Sequence, residues 1–247
     1  MIPRREHSLR FLALHGFTGE GADFAELSAL VGGRWSFPDL PGHGINKDAT
    51  EEEFSLDALA EHLCEGDNGE TIGIGYSMGG RLLLNVAARR PGFFRGLILI
   101  GASPGLAQEP ERAQRRKTDA EWIQKLSGDD IEEFFRQWWR QPVLSDIETL
   151  VPKERRLKNN PAGLARSLRF HGNGTLPSLW TELPKITLPT LICVGEKDEK
   201  FLEIGDRMTE LLPKGDVVAI PGCHHAPHWE DPKLTAKAFQ EFAEKLP

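Results

Sequence analysis

Ten residues constrain this chain more than any others. Thr71-Ile72-Gly73-Ile74-Gly75-Tyr76-Ser77-Met78-Gly79-Gly80 reads as an apolar strand entering a G-x-S-x-G turn, and a helix to Arg90 follows, with Leu82, Leu83, Val86 and Ala87 at helical spacing. A serine at a sharp strand-to-helix turn needs Gly75 and Gly79 beside it, because side chains there would collide with neighbouring backbone. The helix directs its first N–H groups at the serine and favours negative charge there. Ser77 is therefore the candidate nucleophile or base. On the pentapeptide alone, an ordinary tight turn competes with this reading. A dinucleotide-binding G-x-G-x-x-G does not, since Met78 stands where the third glycine belongs.

Around this unit, strands and helices alternate. Arg10–Leu14 is an apolar run that ends in the glycine-punctuated loop His15-Gly16-Phe17-Thr18-Gly19, and 35–38 is a second strand closed by Asp39-Leu40-Pro41-Gly42-His43-Gly44. A helix over 55–63 has Ser55 as its N-cap, and Leu97–Ile100 is a further buried strand. Such alternation predicts a mostly parallel α/β sheet with helices on both faces. It stops near residue 103. From 104 to 185 the chain is rich in Arg, Glu and Trp, with a helical pattern over 130–139 and no convincing strand, so this stretch is expected to be a helical cap inserted in a core of 1–103 and 186–247. Strands resume at 190–194 and 216–220, the first followed by a polar loop over 195–201 and a helix over 202–212, and the chain ends in a helix over 232–246.

Composition narrows the function classes. The net charge of −7 argues against a nucleic-acid surface, and no apolar run approaches the roughly 20 residues that span a bilayer. Residues 104–180 hold 13 Lys and Arg against 11 Asp and Glu, a balance of +2, which leaves −9 for the rest. An acidic body under a locally basic insertion suits an anionic small molecule between the two, although a solvated helical surface has the same count. Three cysteines, Cys64, Cys193 and Cys223, form no C-x-x-C pair, and the first residues lack a secretory h-region; a cytoplasmic protein is expected.

Three chemically useful groups occupy equivalent places, each in a loop just after a strand: Ser77, Asp198 and a histidine of the 224–228 cluster. Loops after parallel strands emerge on one sheet edge, so residues far apart in sequence can meet there. The histidine can take the serine proton while the carboxylate orients the imidazole. Cys223, His224, His225 and His228 could instead bind a metal, but no second ligand cluster accompanies them, and neither metal nor cofactor is expected.

With His15-Gly16-Phe17, Asp39 to Gly44, Gly75 to Gly80, Gly195-Glu196-Lys197-Asp198 and His225 to Glu230, the chain resembles the α/β-hydrolase fold over essentially its whole length. The resemblance implies His225, before Ala226, as the catalytic histidine, with His224 in the usual glycine position as its competitor. It also implies an oxyanion hole from the backbone N–H groups of Phe17 and Met78.

Finer detail points to one branch. Leu14 to Gly19, Gly75 to Arg81, Trp138 to Val143, Ser167 to Arg169 with Pro177 to Trp180, and Val194 to Phe201 resemble the 2-succinyl-6-hydroxy-2,4-cyclohexadiene-1-carboxylate synthase family of menaquinone biosynthesis. That family eliminates pyruvate from a cyclohexene tricarboxylate, using the triad serine as a base. By position the resemblance makes Arg115 and Arg156 substrate-binding, with Arg116 and Arg155 adjacent to each, and lines the pocket with Tyr76 and Trp138. The stretch His171 to Leu176 departs from the family pattern, which keeps a related C–C hydrolase or a carboxylesterase acting through an acyl-serine as alternatives.

Overall fold

The computed structural model describes residues 9–65, 69–128, 130–144 and 147–247. Six strands, β1 (Arg10–Leu14), β2 (Arg34–Ser36), β3 (Thr71–Tyr76), β4 (Phe94–Ile100), β5 (Thr190–Gly195) and β6 (Gly215–Ile220), form one sheet in the order β2-β1-β3-β4-β5-β6. Every pairing is parallel, so all the loops that follow the strands leave from the same edge. The α/β class read from the alternation is the class observed.

Period two explains how the strands bury both faces. Phe11 and Ala13, Ile98 and Ile100, and Leu191 and Cys193 join one apolar core, whereas their neighbours Leu12 and Leu14, Leu97 and Leu99, and Ile192 and Val194 join the other. Helices close each side. The helix Met78–Arg89 buries Leu82, Leu83 and Val86 in the second core, and the helix Pro232–Glu244 buries Phe239 in the first.

Between β4 and β5 the described residues form helices and no strand: Glu109–Leu126, Ile131–Trp138, Lys153–Arg156 and Pro161–His171. Local capping starts two of them. Asp130 accepts the Glu133 N–H at 2.9 Å, and Asn160 accepts the Ala162 N–H at 2.9 Å with Pro161 in the first turn. Trp122 meets Trp138 edge-on at 5.1 Å and Phe134 at 5.8 Å, so aromatic packing joins the first two helices.

Element ends differ from the sequence reading at two informative places. The strand expected from Leu97 begins at Phe94, and the helix expected from 202 begins at Glu199. Asp198 is responsible for the second shift: its Oδ1 accepts the Phe201 N–H at 3.3 Å and draws the polar residues 199–201 into the helix.

The central strand-turn-helix depends on close backbone approach. A Cβ on Gly79 would stand 2.1 Å from the Leu14 carbonyl oxygen, and one on Gly75 would stand 2.5 Å from the Gly80 Cα. Gly79→Ala is therefore expected to push the helix from β1 and to cost about 1–3 kcal/mol of stability, as overpacking does. Urea unfolding measures it; a midpoint equal to wild type would contradict the contact.

Candidate active site

The site begins with a strained residue. Ser77 lies between β3 and the helix Met78–Arg89 with φ 49° and ψ −110°, and its N–H donates to the Ile100 carbonyl of the adjacent strand at 2.9 Å. This backbone state is sparsely populated for a residue with a Cβ, so the surrounding packing must hold it. The helix N-terminus starts at the next residue, Met78.

Asp198 follows β5 and divides its two oxygens. Oδ1 caps the helix Glu199–Leu211, and Oδ2 lies 2.8 Å from His225 Nδ1. The carboxylate accepts, so Nδ1 carries the proton and Nε2 is left as the basic nitrogen. His225 is almost fully buried, with Phe201 at 4.7 Å and Tyr76 at 5.6 Å between ring centres. His224 turns to a different acid, its Nδ1 lying 3.0 Å from Glu230 Oε2. Glu230 also accepts the His224 N–H at 2.7 Å and the Ala226 N–H at 3.0 Å, and so shapes the loop on both sides of His225.

The third loop follows β1. Gly19 N–H donates to Gly16 O at 3.0 Å, closing a four-residue turn with Phe17 and Thr18 at its centre. Two buried histidines fasten it. His15 Nδ1 donates to Gly16 O at 2.8 Å while its Nε2 accepts the Leu40 N–H at 2.9 Å; His43 Nδ1 donates to Pro41 O at 3.2 Å while its Nε2 accepts the Thr18 N–H at 3.2 Å. Each ring uses one nitrogen as donor and one as acceptor, which only the neutral imidazole can do. Burial holds both below the ordinary histidine range, and for His43 the neighbouring His15 adds to the effect.

Ser77, His225, Phe17 and Met78 share the wall of a cavity of about 190 Å³ with Arg81 and Arg115. A smaller chamber of about 50 Å³ also reaches Ser77 and is bordered by Tyr76, Asp23 and Arg156. Phe17 and Trp138 line both, packed edge to face at 4.9 Å. A larger hollow of about 380 Å³ between Pro38 and Leu63 contains neither Ser77 nor His225, so the chemistry selects the smaller cavities.

The structure separates the adjacent arginines. Arg115 lines the larger chamber with its Nε 2.7 Å from Asp119 Oδ1, whereas Arg116 donates to Glu109 at 2.5 Å and to Gly174 O at 2.9 Å. Arg156 is buried on the smaller chamber with a nitrogen 2.7 Å from Asp23 Oδ2, and Arg155 donates to Glu20 at 2.8 Å. Sequence reasoning assigned no role to Arg81. Burial first, then Arg115, lower its pKa to about 10, Asp119 opposing, and its Nε has no partner among the described residues. Its signal was present, four residues after Ser77 and one turn along the same helix.

The chain belongs to the alpha/beta hydrolase family, whose model matches residues 11–238. Within it, the chain is 33% identical over 243 residues to a candidate 2-succinyl-6-hydroxy-2,4-cyclohexadiene-1-carboxylate synthase of Bacillus subtilis (strain 168), covering 94% of this chain and 89% of that one. It is 32% identical to the synthase of that name from Enterobacter sp. (strain 638), with coverages of 92% and 89%. The solved structure of MenH from S. aureus matches with a TM-score of 0.86 at 29% identity, covering 96% of this chain and 93% of that one.

The buried histidines give the site a pH limit. Burial lowers His171 to about 4 and His228 to about 3, His225 and Arg156 contributing to the latter, against 6.5 for an ordinary histidine. Below pH 6.5 the unfolded chain therefore binds protons that the folded one refuses, so stability is complete above that pH and declines as pH falls toward 4 and 3. His228 packs on Tyr76 at 4.4 Å and Phe24 at 5.6 Å, with no hydrogen-bond partner for either nitrogen among the described residues. His228→Phe should flatten the urea-midpoint profile between pH 6.5 and 4; a slope identical to wild type would contradict its neutral burial.

Proposed function

We propose that this protein is a lyase that eliminates pyruvate from 2-succinyl-5-enolpyruvyl-6-hydroxy-3-cyclohexene-1-carboxylate, giving 2-succinyl-6-hydroxy-2,4-cyclohexadiene-1-carboxylate in menaquinone or phylloquinone biosynthesis. The observation that carries the reading is one cavity that combines Ser77 and the Asp198-bonded His225 with two guanidinium groups, Arg81 and Arg115. Relatives similar over about nine-tenths of this chain bear the synthase name.

The chemistry follows from the placement. Ser77, with its proton passed to His225, takes the ring proton beside the succinyl carbonyl, and Asp198 stabilises the imidazolium that forms. Negative charge develops on the succinyl oxygen, where the N–H groups of Phe17 and Met78 receive it. The electron pair then returns through the ring double bond and expels the enolpyruvyl oxygen; protonation of that enolate yields pyruvate and leaves the ring diene. No bond to Ser77 forms, and no cofactor or metal takes part in this scheme.

Three substrate carboxylates require cationic partners. Arg81 and Arg115 supply two guanidinium forks in the larger chamber, and a carboxylate that enters the smaller one would share Arg156 with Asp23, beside Tyr76 and Trp138. We place the reaction in the cytoplasm, a setting supported by the three free thiols. Among the described residues no helix is long and apolar enough to cross a membrane. A second reading, ester hydrolysis through an acyl-serine, draws on the same serine, histidine and oxyanion donors.

Pyruvate release from the tricarboxylate tests the proposal. Ser77→Ala and His225→Ala should each lower kcat/KM by roughly a thousandfold or more, with the double variant no worse than either, because the residues act as a unit. Arg81→Ala and Arg115→Ala should each lower kcat/KM by roughly ten- to a hundredfold, the scale of one lost charge-assisted hydrogen bond, while leaving a neutral ester almost unaffected. Wild-type protein that releases no pyruvate would refute the lyase.

A further inference from the structure

Two residues other than glycine have positive φ among the described residues, and they flank the same cavity: Ser77 and Thr18, the latter at 66°. Thr18 is the second central residue of the Gly16–Gly19 turn. Positive φ there defines a type II turn, a position that glycine or asparagine fills readily and a β-branched residue does not. Without restraint, threonine would relax to negative φ.

Both backbone polar groups of Thr18 are restrained by side chains from other parts of the chain. His43 accepts its N–H at 3.2 Å, and Asn159 Nδ2 donates to its carbonyl at 3.0 Å. The same Asn159 nitrogen lies 3.1 Å from Arg156 O, so the amide is fixed to its own segment as well. Asn159 is buried, at 9% exposure, and belongs to the helical stretch between β4 and β5 rather than to the sheet. A neighbouring contact ties the same regions together, Arg156 to Asp23 at 2.7 Å, and Trp229, from the segment after β6, donates its Nε1–H to the Asp23 carbonyl at 3.2 Å.

We propose that Asn159 is a positioning residue for the reaction: by holding the Thr18 carbonyl it keeps the turn in its strained form and so aims the Phe17 N–H into the cavity. Relaxing Thr18 would rotate the Phe17–Thr18 peptide, break the bond to His43 and displace Phe17, one residue away. The helical stretch between β4 and β5 thereby sets the geometry of one charge-stabilising donor as well as contributing arginines. The inference rests on Phe17 as an oxyanion donor, part of the reading above.

Asn159→Ala and the isosteric Asn159→Asp, which lacks the amide donor, test it in the full-length chain by two readouts. The first is kinetic: kcat for pyruvate release should fall roughly ten- to a hundredfold, up to the scale of one misplaced oxyanion donor, with KM changed less than about threefold. The second is crystallographic: Thr18 should adopt negative φ in both variants. A turn that keeps positive φ would overturn the proposal, as would a relaxed turn with unchanged kcat or a loss confined to KM. If wild-type protein released no pyruvate, the lyase reading would fall, while the conformation of Thr18 would still decide whether Asn159 holds the turn.

Discussion

The structure depends on the close approach of one helix to the sheet at Ser77. Gly75, Gly79 and Gly80 leave no room for a Cβ, with Leu14 O 2.1 Å from where a side chain on Gly79 would begin and Ala102 Cβ 2.4 Å from one on Gly80. That contact puts Ser77 at φ 49° and points the helix N-terminus at the place where β1, β3, β5 and β6 deliver their loops. Parallel pairing supplies the common edge, and the glycines supply the approach. A residue with a Cβ at any of the three would move the serine away from the groups that serve it.

Around that contact, burial and charge have separate tasks. The histidines His15 and His43 are kept neutral and act as paired donors and acceptors that fix the Gly16–Gly19 turn. Charge is concentrated instead on the arginines, which reach the cavities from the helix after Ser77 and from the helices between β4 and β5. Two chambers meet at Ser77, and the rings of Phe17 and Trp138 line both.

Much of this was legible in the sequence because it is written locally. Strand periodicity, glycine spacing and the position of Ser77, Asp198 and His225 after their strands are all patterns over a few residues, and the structure brings Asp198 against His225 rather than against His224. What escaped notice depends on contacts between distant segments. Asp198 both meets His225 and caps a helix, which a loop reading of 195–201 does not show. Arg81 looks like an ordinary polar position of an amphipathic helix until residues between β4 and β5 line the cavity around it, and Glu230 gains meaning only from the loop N–H groups it gathers. Asn159 contacts Thr18 across 141 positions of sequence, beyond any local pattern.

The central claim is that Ser77 removes a proton and is never acylated. Rapid quenching of wild-type protein during turnover of the cyclohexene tricarboxylate, followed by mass analysis of the peptide that contains Ser77, addresses it directly. The account predicts that pyruvate accumulates while the mass of that peptide stays unmodified at every quench time. A substrate-derived acyl group on Ser77, formed and lost at the rate of turnover, would contradict it.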